Sequence, residues 1–226
     1  MERKPFIKGI IFDFDGLIID TESAVFQAWR ELYQIWNQDL ELGDWMSLVG
    51  KSNKEADPMD PLAELVGSQF DREQARERVA VREMELIADQ QILPGVKELI
   101  NWSQNRDLKL AVASSSSREW VSGHLSDRGL LDHFDALSCS DDVERAKPDP
   151  ALYILSLEKL GIDAEEGLVF EDSPNGVLAA KKAGLYCVAV PNPITREIPF
   201  HDREGEPDLV VDSLEGFPLQ DYLKEQ

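Results

Sequence analysis

Two aspartates separated by one residue, Asp13 and Asp15, close an apolar run of Ile10, Ile11 and Phe12 in the stretch KGIIFDFDGLIID. Carboxylates held this close repel one another unless a cation lies between them or one keeps its proton. The pair therefore suits a metal or acid-base chemistry. Glu171 and Asp172 follow the apolar Gly167 to Phe170, the serines Ser114 to Ser117 follow Leu108 to Ala113, and Lys147 stands in AKPDP. Taken singly, each has an ordinary explanation. The aspartates suit a solvated strand-end turn, the serines a flexible turn or an N-cap, Lys147 a solvated side chain, and Glu171 and Asp172 the favourable end of a helix dipole.

Positioning these groups is the task of the elements before them. In a strand the side-chain period is two, so Asp13 and Asp15 are expected on one side with Phe14 opposite, and Gly16 lets the chain turn away sharply. From Leu93 onward strands alternate with helices, the pattern of a parallel sheet covered on both faces. The spacing predicts a helix from Pro94 and Gly95 to about Asn105, a strand from Leu108 to Ala113, a helix from Arg118 to Gly129, and a strand from Phe134 to Leu137. It further predicts a helix from Pro148 to Leu160, a strand from Gly167 to Phe170, and a helix capped by Ser173, with Pro174 in its first turn and Gly184 at its end. Tyr186 to Val190 and Leu209 to Val211 are the last predicted strands. Ligands of open parallel sheets bind beyond the carboxyl ends of the strands, so the acidic and serine clusters should converge, with Lys147 within reach.

Thr21 to about Gln91 has a different texture. Val25, Trp29, Leu32 and Trp36 form one apolar stripe, Ala75 to Ala88 is helix-rich, and Gly43, Gly50, Pro58 and Pro61 divide the region into short pieces. Trp29, Trp36 and Trp45 are expected to pack between helices.

Composition limits the partners. With 226 residues and 42% apolar side chains the chain can bury a substantial core. A formal net charge of -21 argues against nucleic acid or an anionic membrane, both of which need a basic footprint. Cys139 and Cys187 are too few for a disulfide framework, no run reaches the ~18 apolar residues of a membrane span, and MERKPF leads into the first strand without a signal-peptide core. A cytoplasmic protein is expected, and a monomer, since no long heptad is present.

The four clusters in this order resemble the haloacid dehalogenase superfamily, through FDFDG at Phe12 to Gly16, Ser114 of VASSS, Lys147 of KPDP, and FEDSPNGVLAAKKAG from Phe170 to Gly184. Within it the chain is similar to the subgroup of β-phosphoglucomutase and sugar-phosphate phosphatases. The resemblance implies an α/β fold: a Rossmann-like core domain from residues 1–20 and 92–226, with a helical cap domain inserted at 21–91. It implies Asp13 as nucleophile, Asp15 as general acid and then base, and Mg2+ held by the Asp13 carboxylate, the Asp15 backbone carbonyl and Asp172, with Glu171 as a direct or indirect partner. Lys147, the Ser114 hydroxyl and the Ser115 N–H would hold phosphoryl oxygens. Lys51, Lys54 and Arg118 are candidate substrate contacts, each with an exposed surface side chain as its alternative.

The implied activity is a Mg2+-dependent phosphatase of small phosphorylated metabolites, sugar phosphates in particular. Mutases of this subgroup carry a histidine after the Asp-Thr-Glu region. Here DTESAVFQAW places Val25 there, and no histidine precedes His124, which favours hydrolysis. A β-phosphoglucomutase, a phosphonate-cleaving enzyme using Lys51 or Lys54 as a Schiff base, and a catalytically silent metabolite-binding protein stay open as alternatives. Haloalkanoate dehalogenation is disfavoured, because Asp15 suits an oxygen leaving group and halide release needs no metal.

Overall fold

The computed structural model describes residues 6–46, 57–200 and 205–222. The chain divides into two compact units, one of Met1–Ile19 with Ile92–Gln226 and the other of Asp20–Gln91. The smaller unit is helical: α1 (Thr21–Ile35), α2 (Leu42–Met46), α3 (Met59–Val66) and α4 (Arg72–Ala88). Asp20 starts α1 by accepting the Ser23 N–H, and Asp71 starts α4 by accepting those of Glu73 and Gln74. Ala24, Ala28 and Leu32 of α1 and Ala75 and Val79 of α4 are buried. The tryptophans pack as expected: Trp45 lies 5.9 Å from Phe26 and 6.4 Å from Trp29, and Trp36 lies 6.2 Å from Phe70.

The larger unit is built on one six-stranded, all-parallel sheet of β1 (Gly9–Phe12), β2 (Lys109–Ala113), β3 (Ala136–Ser138), β4 (Gly167–Glu171), β5 (Tyr186–Ala189) and β6 (Leu209–Val210), in the order β3-β2-β1-β4-β5-β6. Strand alternation sorts its apolar residues onto two faces. Ile10, Phe12, Leu110, Val112, Leu168 and Phe170 meet α5 (Val96–Gln104) and α6 (Arg118–Asp127). Ile11, Ala111, Ala113 and Val169 meet α7 (Ala151–Leu160) and α8 (Pro174–Lys182). Covering both faces explains why β1 is buried at every residue.

The register aligns the strand ends that matter. Phe12 pairs with Val112 on one side and Phe170 on the other, so the residues that follow all three strands emerge on one edge.

Most element ends fall within one or two residues of the sequence expectation, and three differences have a physical reason or bear on the candidate site. β1 stops at Phe12, so both aspartates lie beyond the strand and its alternation does not govern them. Phe134 closes a short 3-10 turn at Leu131–His133 and packs edge-on against Phe12 at 5.9 Å, which moves the start of β3 to Ala136. α7 begins at Ala151 rather than Pro148, because Pro150 disfavours helical backbone in the residue before it.

Candidate active site

Asp13 sits one residue past β1, and its N–H donates to the Phe170 carbonyl at 2.9 Å, extending the ladder to β4. The Lys147 ammonium donates to Asp13 Oδ1 at 2.6 Å and to Glu171 Oε1 at 2.7 Å. The side chains of Lys147, Asp13 and Glu171 are only 6%, 8% and 0% exposed, so each charge depends on its partner. Burial, and next the Glu171 carboxylate, push Asp13 up to about 7, while Lys147 pulls it the other way. Burial alone would lower Lys147. The carboxylates of Asp13 and Glu171 outweigh it and hold the ammonium protonated above the ordinary lysine range.

Glu171 is engaged through both oxygens. Oε1 also accepts the Tyr153 hydroxyl at 2.6 Å, and Oε2 accepts the N–H groups of Asp172 and Ser173 at 3.0 and 3.1 Å and the Ser173 hydroxyl at 3.2 Å. The carboxylate lies against the first turn of α8, where a Cβ on Gly176 would overlap it. Ser173 caps that helix by accepting the Gly176 N–H, and Pro174 occupies its start. Asp172 is held by Asn192: Asn192 Nδ2 donates to Asp172 Oδ2 at 2.7 Å, and Asn192 Oδ1 accepts the N–H groups of Ile194 and Thr195 at 2.8 and 2.9 Å. Gly16 has φ +78°, and a Cβ there would run into Asp172 and Asn192, so the turn after Asp15 needs glycine for both reasons.

Asp15 is only partly buried and has its own set of partners. Its Oδ2 accepts the hydroxyls of Ser116 at 2.7 Å and Ser114 at 3.1 Å, and its Oδ1 accepts the Trp120 indole N–H at 3.1 Å. Ser114 is fully buried, and its oxygen also accepts the Ser116 N–H at 2.9 Å.

Asp13, Asp15, Ser114, Lys147, Glu171 and Asp172 are thus joined at one sheet edge through direct contacts or contacts of their sequence neighbours. Ser115 is exposed beside them. Arg118 does not join them: its guanidinium donates to the Leu137 carbonyl at 3.1 Å and pairs with Asp142. Lys51 and Lys54 lie outside the described residues. Four further residues that touch these groups, Ser116, Trp120, Tyr153 and Asn192, are not among the candidates of the sequence. Ser116 lay within the serine run already noted. Asn192 follows β5 at the same sheet edge, and that position was its signal. Tyr153 and Trp120 look in sequence like ordinary apolar positions of helices.

Asp13, Glu171 and Asp172 each offer one oxygen within 4.8 Å of the others, and all three residues are buried. Against these three carboxylates the described residues bring one ammonium, that of Lys147, which pairs with Asp13 and Glu171. This excess of buried negative charge and its hard oxygen donors fit a divalent cation such as Mg2+. Since Glu171 already accepts from Lys147, Tyr153 and two backbone amides, Asp13 and Asp172 are the donors this arrangement offers first.

The profile of the haloacid dehalogenase-like hydrolases matches residues 10–190. The chain is 38% identical to Bacillus subtilis YhcW, which carries a provisional phosphatase name, over 97% of this chain and 99% of that one. It is 31% identical to the phosphorylated carbohydrates phosphatase of Thermotoga maritima, over 79% and 82% of the two chains. The crystal structure of β-phosphoglucomutase from Clostridium difficile superposes with a TM-score of 0.69 at 26% identity, covering 96% of each chain.

Proposed function

Because the chain belongs to the haloacid dehalogenase-like hydrolases, we propose that it is a Mg2+-dependent phosphatase of small phosphorylated metabolites, with sugar phosphates as its substrate class. The observation that carries this reading is the division between two carboxylates two residues apart. Asp13 is buried against Lys147 and close to Asp172, whereas Asp15 is partly exposed among neutral donors. This difference supports a reading in which one attacks and the other exchanges a proton with something that enters and leaves.

In this reading a carboxylate oxygen of Asp13 bonds to phosphorus as the bond to the substrate oxygen breaks, forming an aspartyl phosphate. Asp15 gives its proton to the departing oxygen. It then takes one from the water that attacks the aspartyl phosphate and releases inorganic phosphate. Lys147 neutralises charge on the phosphoryl oxygens and orients Asp13, and the Ser114 and Ser115 region offers further donors. Mg2+, held by Asp13, Asp172 and the Asp15 backbone carbonyl with Glu171 behind them, would supply the charge neutralisation that a single lysine leaves incomplete. Asn192 holds Asp172 through its amide, and the absence of a side chain at Gly16 leaves room for both.

A phosphosugar mutase is the second reading, favoured by the Clostridium difficile neighbour. Val25, in α1, has no group able to exchange a proton at the place where the mutases carry histidine, and this favours water as acceptor. Phosphate release from a panel of sugar phosphates, with Mg2+ and with chelator, tests the reading. Metal-dependent release with a preferred substrate supports it. Isomerisation of β-glucose 1-phosphate without net release replaces it with the mutase. The reading includes a monomeric cytoplasmic protein, and its net charge of -21 leaves nucleic acid and anionic membranes poor partners. Among the described residues no helix is long and apolar enough to cross a membrane.

A further inference from the structure

Asp15 is gripped on both oxygens, and the grip is chemically uneven. Ser114 and Ser116 reach Oδ2 through hydroxyls, which can donate or accept as they rotate. Trp120 reaches Oδ1 through an indole N–H, which can only donate. An indole partner therefore fixes Oδ1 as an acceptor whichever way the hydroxyls turn, and with it the plane of the carboxyl group. The indole is itself held in place. Its ring lies edge-on to His124 at 4.4 Å with an interplanar angle of 77°, and His124 in turn stacks on Phe14 at 6.3 Å and 25°. Phe14 is buried and lies in the chain between the two aspartates, so α6 and the turn bearing Asp15 are tied together by one aromatic series.

We infer that Trp120 is a positioning residue for proton transfer by Asp15, setting the carboxyl plane and meeting the negative charge left on it when its proton departs. The inference rests on the phosphatase reading. In the step concerned, the Asp13 oxygen bonds to phosphorus, the phosphorus–oxygen bond of the substrate breaks with its electron pair on the leaving oxygen, and the Asp15 proton joins that oxygen to release a neutral alcohol. A donor bond to Asp15 that strengthens as the proton leaves acts in the transition state more than in the ground state. The role is confined to leaving groups that need a proton. A nitrophenolate leaves without one.

The test compares kcat/KM for an alkyl phosphate, such as a hexose 6-phosphate, with that for p-nitrophenyl phosphate in Trp120→Phe. This variant keeps an aromatic ring beside His124 and removes only the N–H donor and part of the indole. The expected result is a loss of about tenfold on the alkyl phosphate and less than about twofold on p-nitrophenyl phosphate. Equal losses on both substrates, or none on either, overturn the inference. Asp15→Asn, run beside it, separates the two levels: it should show the same selectivity with a larger loss. Selectivity in Asp15→Asn without selectivity in Trp120→Phe removes the role of Trp120 and leaves the phosphatase reading standing. No selectivity in Asp15→Asn overturns the general-acid assignment and the inference with it. A second measurement needs no Trp120 variant to fold: the Trp120 indole N–H resonance of the wild-type protein should move in Asp15→Asn while those of Trp29, Trp36, Trp45 and Trp102 stay in place. An unmoved Trp120 resonance overturns the inference.

Discussion

Both units of this protein carry ion pairs at the surface, such as Lys8 with Glu166 and Arg145 with Asp149 in the sheet unit, but among the described residues the sheet unit alone encloses one. In the sheet unit, Lys147 and Asp13 form a pair whose side chains are 6% and 8% exposed, with Glu171 completely enclosed beside them. In the helical unit, Arg82 pairs with Glu31 at 2.7 Å, with the two side chains 39% and 31% exposed, and Arg72 pairs with Asp57 and Asp60 at the surface. Ion pairs in water are screened and contribute little, whereas a buried pair commits each charge to the other. The enclosed pair belongs to the candidate site, and the pairs of the helical unit described above do not.

Substitutions across the two units put that contrast to the test. Asp13→Asn should lower turnover by ~10^4-fold or more while far-UV dichroism stays that of the wild type. Activity near wild type would remove Asp13 as nucleophile. Lys147→Met leaves Asp13 and Glu171 facing one another without their cation, so unfolding in denaturant should show a loss of about 3–5 kcal/mol together with loss of turnover. A variant as stable as wild type would mean that the enclosed pair does not depend on its lysine. Asn192→Ala removes the donor that holds Asp172, and calorimetric titration should show Mg2+ affinity weakened by about 10- to 100-fold. Its activity should recover at high Mg2+. At the far end, Arg82→Ala should leave the melting temperature within about 2 °C of wild type. A larger drop would place the helical unit's charges in the same class as those of the sheet.

The backbone frame was legible because its elements are announced locally, and the charged members of the candidate site were legible from the order of the four clusters along the chain and the family they resemble. An apolar run ending in acids marks β1 and β4, and Ser173, Pro174 and Gly184 punctuate α8. The partners that orient those groups carry no such local mark. Trp120 donates to an aspartate 105 positions away. Tyr153 reaches Glu171 from inside α7, and Asn192 reaches Asp172 from the loop after β5. Which face of a helix such a residue occupies depends on how the helix packs on the sheet, and packing is a property of the whole unit. Arg118 shows the same limit in reverse, since its place after the serine run suggested substrate while its guanidinium turns to Leu137 and Asp142.

The strand order also bears on how the chain acquires its shape during synthesis. β1 lies at the centre of the sheet, yet its two neighbours are Lys109–Ala113 and Gly167–Glu171. As the chain leaves the ribosome, this wholly apolar strand emerges ahead of both, and the entire helical unit passes before either can pair with it. Contacts so distant in sequence form slowly, and an unpaired apolar strand is open to association meanwhile. The helical unit needs only its own 72 residues to bring α1 against α4, and its longest described pairing, Arg82 with Glu31, spans 51 positions, fewer than separate β1 from either neighbour. Asp13 and Asp172 meet only when β4 has joined β1, so the nascent protein cannot bring these two carboxylates together until about three-quarters of the chain has emerged.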